Sequence, residues 1–284
     1  MPKDRGRRTS KRSTRSDEDA KLARAEQRER RRIERLVDAH GPKGWRELYN
    51  VDDLVEHIMA SESLYMFVLA LDIHRSTFLM KEAVEFGYFA TILDGFVGSA
   101  RRAIREMYGG WFDKFTGDGF LAFWILEDSP HDVYHEVFID TMAKVLHTAH
   151  VTRDIYDDHV LEDVRHNSRN MPTGLGVSVG LDAGPGYLVE VAGDLTVVGP
   201  PVVGAVRMVE ASSRPGEILA NVYLGSAFTA GRADEYKHLH FDVTSEIRPT
   251  KEYKEGQEVY LLTPSWPEGD EEAASTDGEE TTSR

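Results

Sequence analysis

The sequence predicts an α+β fold, a mostly antiparallel sheet with helices packed on it. Three observations carry this. Tyr65–Leu71 is an unbroken apolar run of strand length, two further pairs of β-rich runs meet at glycine-containing turns, and segments with helical apolar spacing separate them.

Taken in order, the first segment of regular pattern is 17–40, where charges alternate in sign until Gly41-Pro42 ends a helix. Residues 1–16, basic and rich in Ser and Thr, read as disordered. The run Tyr65–Leu71 reads as a strand buried on both faces, stopping at Asp72. A long helix follows over roughly 78–108, with Phe78, Phe89, Ile92, Phe96 and Ile104 along one face, and Gly109-Gly110 breaks it. Trp111–Phe115 and Phe120–Ile125 flank Thr116-Gly117-Asp118-Gly119 as a hairpin. A helix near 131–150 leads into a polar stretch that ends at Pro172. Gly174–Leu181 and Tyr187–Val191 read as a second strand pair turning at Asp182–Gly186, followed by a helix over 201–212 and strands at 217–220 and 260–263. This divides the chain into a basic arm (1–40), one globular domain (45–264) and an acidic, disordered tail (265–284).

Charge is distributed unevenly. The net charge is −15, yet residues 1–36 hold 14 Lys/Arg against 7 Asp/Glu, and 267–284 hold 7 acidic residues against Arg284 alone. The remaining body is therefore strongly acidic. That argues against a nucleic-acid surface, which needs clustered cations to neutralise phosphate. With no cysteine, neither a disulfide framework nor a thiolate metal site is possible, which suits a reducing cytoplasm. No apolar run is long enough to span a bilayer and no signal-peptide pattern is present, so a cytoplasmic protein is expected.

Two carboxylates sit where chemistry could use them. Asp72 ends a buried strand just before a helix, and Asp118 tips a hairpin between two glycines. Together with a polyphosphate they would form the all-oxygen site that hard cations such as Mg²⁺ or Mn²⁺ favour. By themselves they read as a helix cap and a turn former.

The full strings narrow this. LALDIHRST, FDKFTGDGFLAFW and DLTVVGPPVVGAVRMVEASSRPGEILAN resemble, in the same order, three segments of the class III nucleotidyl cyclases, and the resemblance covers roughly 65–264. It implies a cyclase-like sandwich that is active as a head-to-tail homodimer, with two divalent ions, Mn²⁺ or Mg²⁺, held by Asp72, Asp118 and the Ile73 carbonyl. It also implies that Lys114 and Thr196 face the base, that Arg207 stabilises the phosphates, and that Ser76 and Thr77 surround the triphosphate. Lys251 or Lys254 would add a second cation. In this family the metal pair comes from one subunit, and the base-facing lysine and the arginine from the other.

One position departs from the class: Val203 stands where most cyclases have an asparagine that orients the ribose. Bacterial Pycsar pyrimidine cyclases resemble the chain in FDKFTGDGFLAF and VVGPPVVGAVRM, apolar residue included. That similarity implies conversion of UTP, less often CTP, to a cyclic nucleotide that activates an effector protein in anti-phage defence. The Lys114/Thr196 pair alone points instead to ATP, so an adenylyl or guanylyl cyclase stays open, as does a non-catalytic nucleotide-binding domain. Tyr65 and Phe67, on the strand leading to Asp72, are candidates for narrowing a pyrimidine pocket, with sheet core as the other reading. His131 and His135, four apart, lack a third ligand and are set aside as a solvated helix face. The glycines of 174–180 have the wrong spacing for a dinucleotide loop. The apolar seam of the arm (Leu22, Ala25, Ile33, Leu36) is sparse for a coiled coil.

Overall fold

The computed structural model describes residues 10–82, 86–126, 136–167, 173–229 and 241–265. The basic segment 1–9, the acidic tail beyond 265, His131 and His135 lie outside them.

The helical arm is longer and more deeply docked than expected. α1 spans Ser10–His40, starting seven residues before the predicted helix. Its last turns are not a free arm, because Ile33 and Val37 are buried with Trp45, on α2 (Trp45–Leu48), and with Leu54, Val55 and Ile58, on α3 (Val51–Ala60). The Trp45 indole N–H donates to Asp38 at 2.8 Å, and Arg32 pairs with Glu190. The side chain of Asn50 caps α3 by accepting from the Asp52 N–H.

β1 (Leu64–His74) is the central strand, hydrogen-bonded on one side to β3 (Gly119–Leu126) and on the other to β4 (Gly176–Val191). β2 (Trp111–Phe115) completes the expected hairpin with β3. The sheet order is β2-β3-β1-β4-β6-β8-β7, with β6 at Ile218–Ala220, β7 at Phe241–Arg248 and β8 at Gln257–Pro264. Among the described residues only the β4–β6 pair is parallel, so the sheet is mostly antiparallel, as predicted.

Each face of β1 has its own core, because strand side chains alternate. Phe67, Leu69, Leu71 and Ile73 pack under α5 (Phe86–Arg102) and α6 (Glu136–Tyr156). Met66, Val68 and Ala70 pack under α1, α3 and α8 (Pro200–Ala211). Ahead of α5 lies α4 (Ser76–Glu82). The other α-helices among the described residues are α7 (Glu162–Asn167) and α9 (Val222–Thr229).

Three expectations are corrected. The single helix of 78–108 is α4 and α5 followed by a π-helical turn at Ala103–Met107. The polar stretch is helical as far as it is described, through Asp157–Leu161 and α7, which ends at Asn167. Asp182–Gly186 is not a turn, because β4 runs through it and pairs with β1 from Leu64↔Gly186 to His74↔Gly176. Gly186 serves close packing, since a Cβ there would stand 2.7 Å from the Met66 sulfur. The true reversal is Ala192-Gly193, both at positive φ, which sets β5 (Asp194–Val198) against Tyr187–Val191.

Candidate active site

The two carboxylates converge at one end of the sheet. Asp72 lies opposite Gly119 on β3 and Ser178 on β4. The β2–β3 turn folds back onto β1, with the Ile73 N–H donating to the Asp118 carbonyl at 2.8 Å. This approach requires glycine next to Asp118, since a Cβ at Gly119 would stand 1.9 Å from the Leu71 carbonyl oxygen. The chain leaves β1 through Arg75, at φ 61, into α4. That places Ser76, buried, where its hydroxyl donates to Asp118 Oδ2 at 3.1 Å, with Thr77 exposed beside it.

Burial and then the neighbouring Asp118 push the Asp72 carboxyl up to about 6. Two carboxylates close enough to repel each other fit a hard cation, which would relieve the repulsion. Among the described residues no group of three or more His, Cys, Asp or Glu side chains forms a metal site. A cation here would therefore draw its other ligands from backbone oxygen, substrate and water.

A second cluster lies between β2 and β5. Lys114 Nζ donates to the Thr196 hydroxyl at 3.2 Å. Asp113, which the sequence reading passed over, is buried beneath this pair, with one carboxyl oxygen accepting from the Val197 N–H. Its sequence signal was an acidic residue inside an aromatic run.

A third cluster lies on α8, which begins at Pro200-Pro201, prolines suited to a first turn. Val203, Val206, Arg207, Lys251 and Glu252 line a cavity of about 340 Å³. Arg207 is held by Glu252 at 2.5 Å and Lys251 by Glu210. Lys251, rather than Lys254, therefore joins Arg207, and Val203 shares their cavity.

Tyr65 and Phe67 do not join any of these clusters, which corrects the expectation that they narrow a pocket. Both lie an odd number of residues from Asp72 and so point to the other face of β1. Phe67 is wholly buried, 4.8 Å from the Phe138 ring. Tyr65 packs against the same core, and burial beside Tyr223 raises the pKa of its hydroxyl.

No known protein-family profile and no curated protein matches the sequence. Solved structures do. The adenylyl cyclase CyaB from P. aeruginosa superposes with a TM-score of 0.54 at 19% identity, over 72% of this chain and 96% of that one. The guanylyl cyclase Cya2 superposes with a TM-score of 0.54 at 16% identity, over 74% of this chain and 97% of that one. The superpositions span nearly the whole of both solved chains, and this chain has the α+β fold of the class III nucleotidyl cyclases.

Proposed function

We propose that the chain is a nucleotidyl cyclase that converts UTP to 3′,5′-cyclic UMP and pyrophosphate. The observation that carries the cyclase reading is the convergence of Asp72 and Asp118 at the strand end, with Ser76 orienting Asp118. In the reaction the ribose 3′-oxygen bonds to the α-phosphorus, the bond to the β-phosphate oxygen breaks, and the hydroxyl proton passes to solvent. Two divalent cations, Mn²⁺ or Mg²⁺, would supply positive charge to the attacking and leaving oxygens. Asp72 and Asp118, with the Ile73 carbonyl, would hold them. Lys114 and Thr196 would read the base edge. Arg207, exchanging Glu252 for substrate, would stabilise the phosphates with Lys251, while Ser76 and Thr77 flank the triphosphate.

The homodimer is supported by apolar surface beside the α8 cluster, where Val198, Val203 and Val206 are all exposed in the single chain. A head-to-tail partner covering it would bring its carboxylate pair to this chain's Lys114 and Arg207. Preference for UTP rests on Val203 and on the FDKFTGDG and VVGPPVVGAVRM resemblance, and with it the role as a second messenger read by a separate effector in anti-phage defence. No described helix is long and apolar enough to cross a membrane, in keeping with a cytoplasmic site of action. The Lys114–Thr196 contact favours a second reading, an adenylyl cyclase. Equal concentrations of the four nucleoside triphosphates with Mn²⁺, with products identified by mass, decide between them. Cyclic UMP should dominate, with at least about tenfold less product from CTP, since an unmatched buried polar group costs about 1–3 kcal/mol. Mainly cyclic AMP would leave the cyclase and remove the pyrimidine specificity.

A further inference from the structure

Beneath the Lys114–Thr196 pair sits a carboxyl that the proposed reaction does not use. β2 and β3 pair Phe112 with Ala122 and Lys114 with Leu121, so Asp113 is the extra residue of a β-bulge. Bulges re-aim side chains and are over-represented beside active sites. The Asp113 side chain is fully buried and faces β5. Its Oδ1 accepts from the Val197 N–H at 3.3 Å, which is all that tying β2 to β5 requires. Its Oδ2 is buried with no hydrogen-bond partner of good geometry. Lys114 Nζ stands 3.6 Å from that oxygen, and the Thr196 hydroxyl adjoins it. Burial raises the pKa of this carboxyl, and Thr196 and Lys114 counter the rise. A buried carboxylate oxygen without a well-formed hydrogen bond calls for a role.

We propose that Asp113 is a positioning residue for nucleobase recognition, acting through Thr196 and Lys114. A carboxylate only accepts hydrogen bonds, so Oδ2 draws the Thr196 proton inward. Thr196 then faces the base as an acceptor, and Lys114, held between Thr196 and Asp113, faces it as the donor. The pair thus meets a base edge that offers one acceptor beside one N–H. Asp113 touches no substrate, and the inference rests on the reading of Lys114 and Thr196 as base-facing.

The discriminating variant is Asp113→Asn in the full chain. The amide keeps the shape and the acceptor for Val197, but it turns a donor toward Thr196 and sends the hydroxyl proton outward. Base contacts contribute to ground-state and transition-state binding alike, so the loss should appear in KM. The expected result is a Tm equal to or above wild type, kcat within about threefold, and KM for the preferred nucleotide raised about tenfold or more. In a Thr196→Val background the same substitution should add little, because its effect passes through that hydroxyl. An unchanged KM in an active enzyme, a lower Tm, or full additivity with Thr196→Val would each overturn the positioning role and leave the cyclase reading intact. A wild-type chain that turns over no nucleotide would remove both.

Discussion

Replacing Asp72 by asparagine should stabilise the metal-free protein while abolishing its activity. The carboxyl is pushed from its ordinary 3.8 to about 6, first by burial and then by Asp118. A shift of roughly two units corresponds to about 3 kcal/mol, and solvent screening of a half-buried group reduces that to about 1–2 kcal/mol. The sign follows from proton linkage. Between about pH 4 and 6 the folded chain binds more protons at this site than the unfolded chain, so stability falls as pH rises and stays lowered at pH 7. The asparagine amide carries no charge, so it removes that loss. At pH 7.5 in EDTA, Asp72→Asn should raise Tm by roughly 2–6 °C for a domain of this size. Added Mn²⁺ should raise the Tm of wild type, which binds it in the native state, and leave the variant unmoved. Cyclic-nucleotide formation by the variant should be undetectable. A Tm equal to or below wild type in EDTA would refute the electrostatic argument, and a retained Mn²⁺ shift would remove Asp72 from metal binding.

Glu217→Gln should cost about 3–5 kcal/mol in urea unfolding, because it breaks a buried bidentate pair with Arg248 at 2.7 and 3.0 Å. Burial alone would raise the Glu217 pKa, but Arg248 and the donors of Ser212, Ser213 and Arg214 outweigh it and hold the carboxyl at about 2. Its stabilisation is thus complete above pH 4.5 and lost as pH falls toward 2, a dependence the glutamine variant should lack. Inactive Asp72→Ala and inactive Arg207→Ala chains should recover activity when mixed, since one site of the heterodimer is intact. Heterodimers that form without activity would count against sites shared between subunits.

The elements legible in the sequence were those whose pattern has a single cause. Tyr65–Leu71 is apolar throughout because both faces of β1 are covered, and the β2–β3 hairpin announces itself through Gly117 and Gly119. β4 was misread because Gly184-Pro185-Gly186 carries a turn's composition while running as strand beside β1, with Gly186 packed close against Met66. β5, β7, α3 and α9 are short or half-exposed, and packing against the sheet holds them where pattern does not. The face occupied by Tyr65 and Phe67 was available all along, since period-two counting from Asp72 puts both on the opposite side. The bulge at Asp113 was not, because an inserted residue shows only once Phe112 and Lys114 have partners.

Satisfaction of charge separates the scaffold carboxylates from those assigned to the site. Glu217 is buried among five donor groups that stabilise its charge, and its pKa falls despite burial. Asp72 and Asp113 lie on the same sheet, and burial raises both pKa values, further for Asp72 through the like charge of Asp118 and against the pull of Thr196 and Lys114 for Asp113. Selection for stability alone would remove such groups, since a neutral isostere keeps their shape without the charge. They lie apart in sequence, yet one faces the proposed metal site and the other underlies the proposed base contacts. A fold able to satisfy Glu217 so fully leaves Asp72 beside Asp118 for cations to neutralise, and it leaves Asp113 to Thr196 and Lys114, whose remaining hydrogen-bonding capacity the edge of a base would take up.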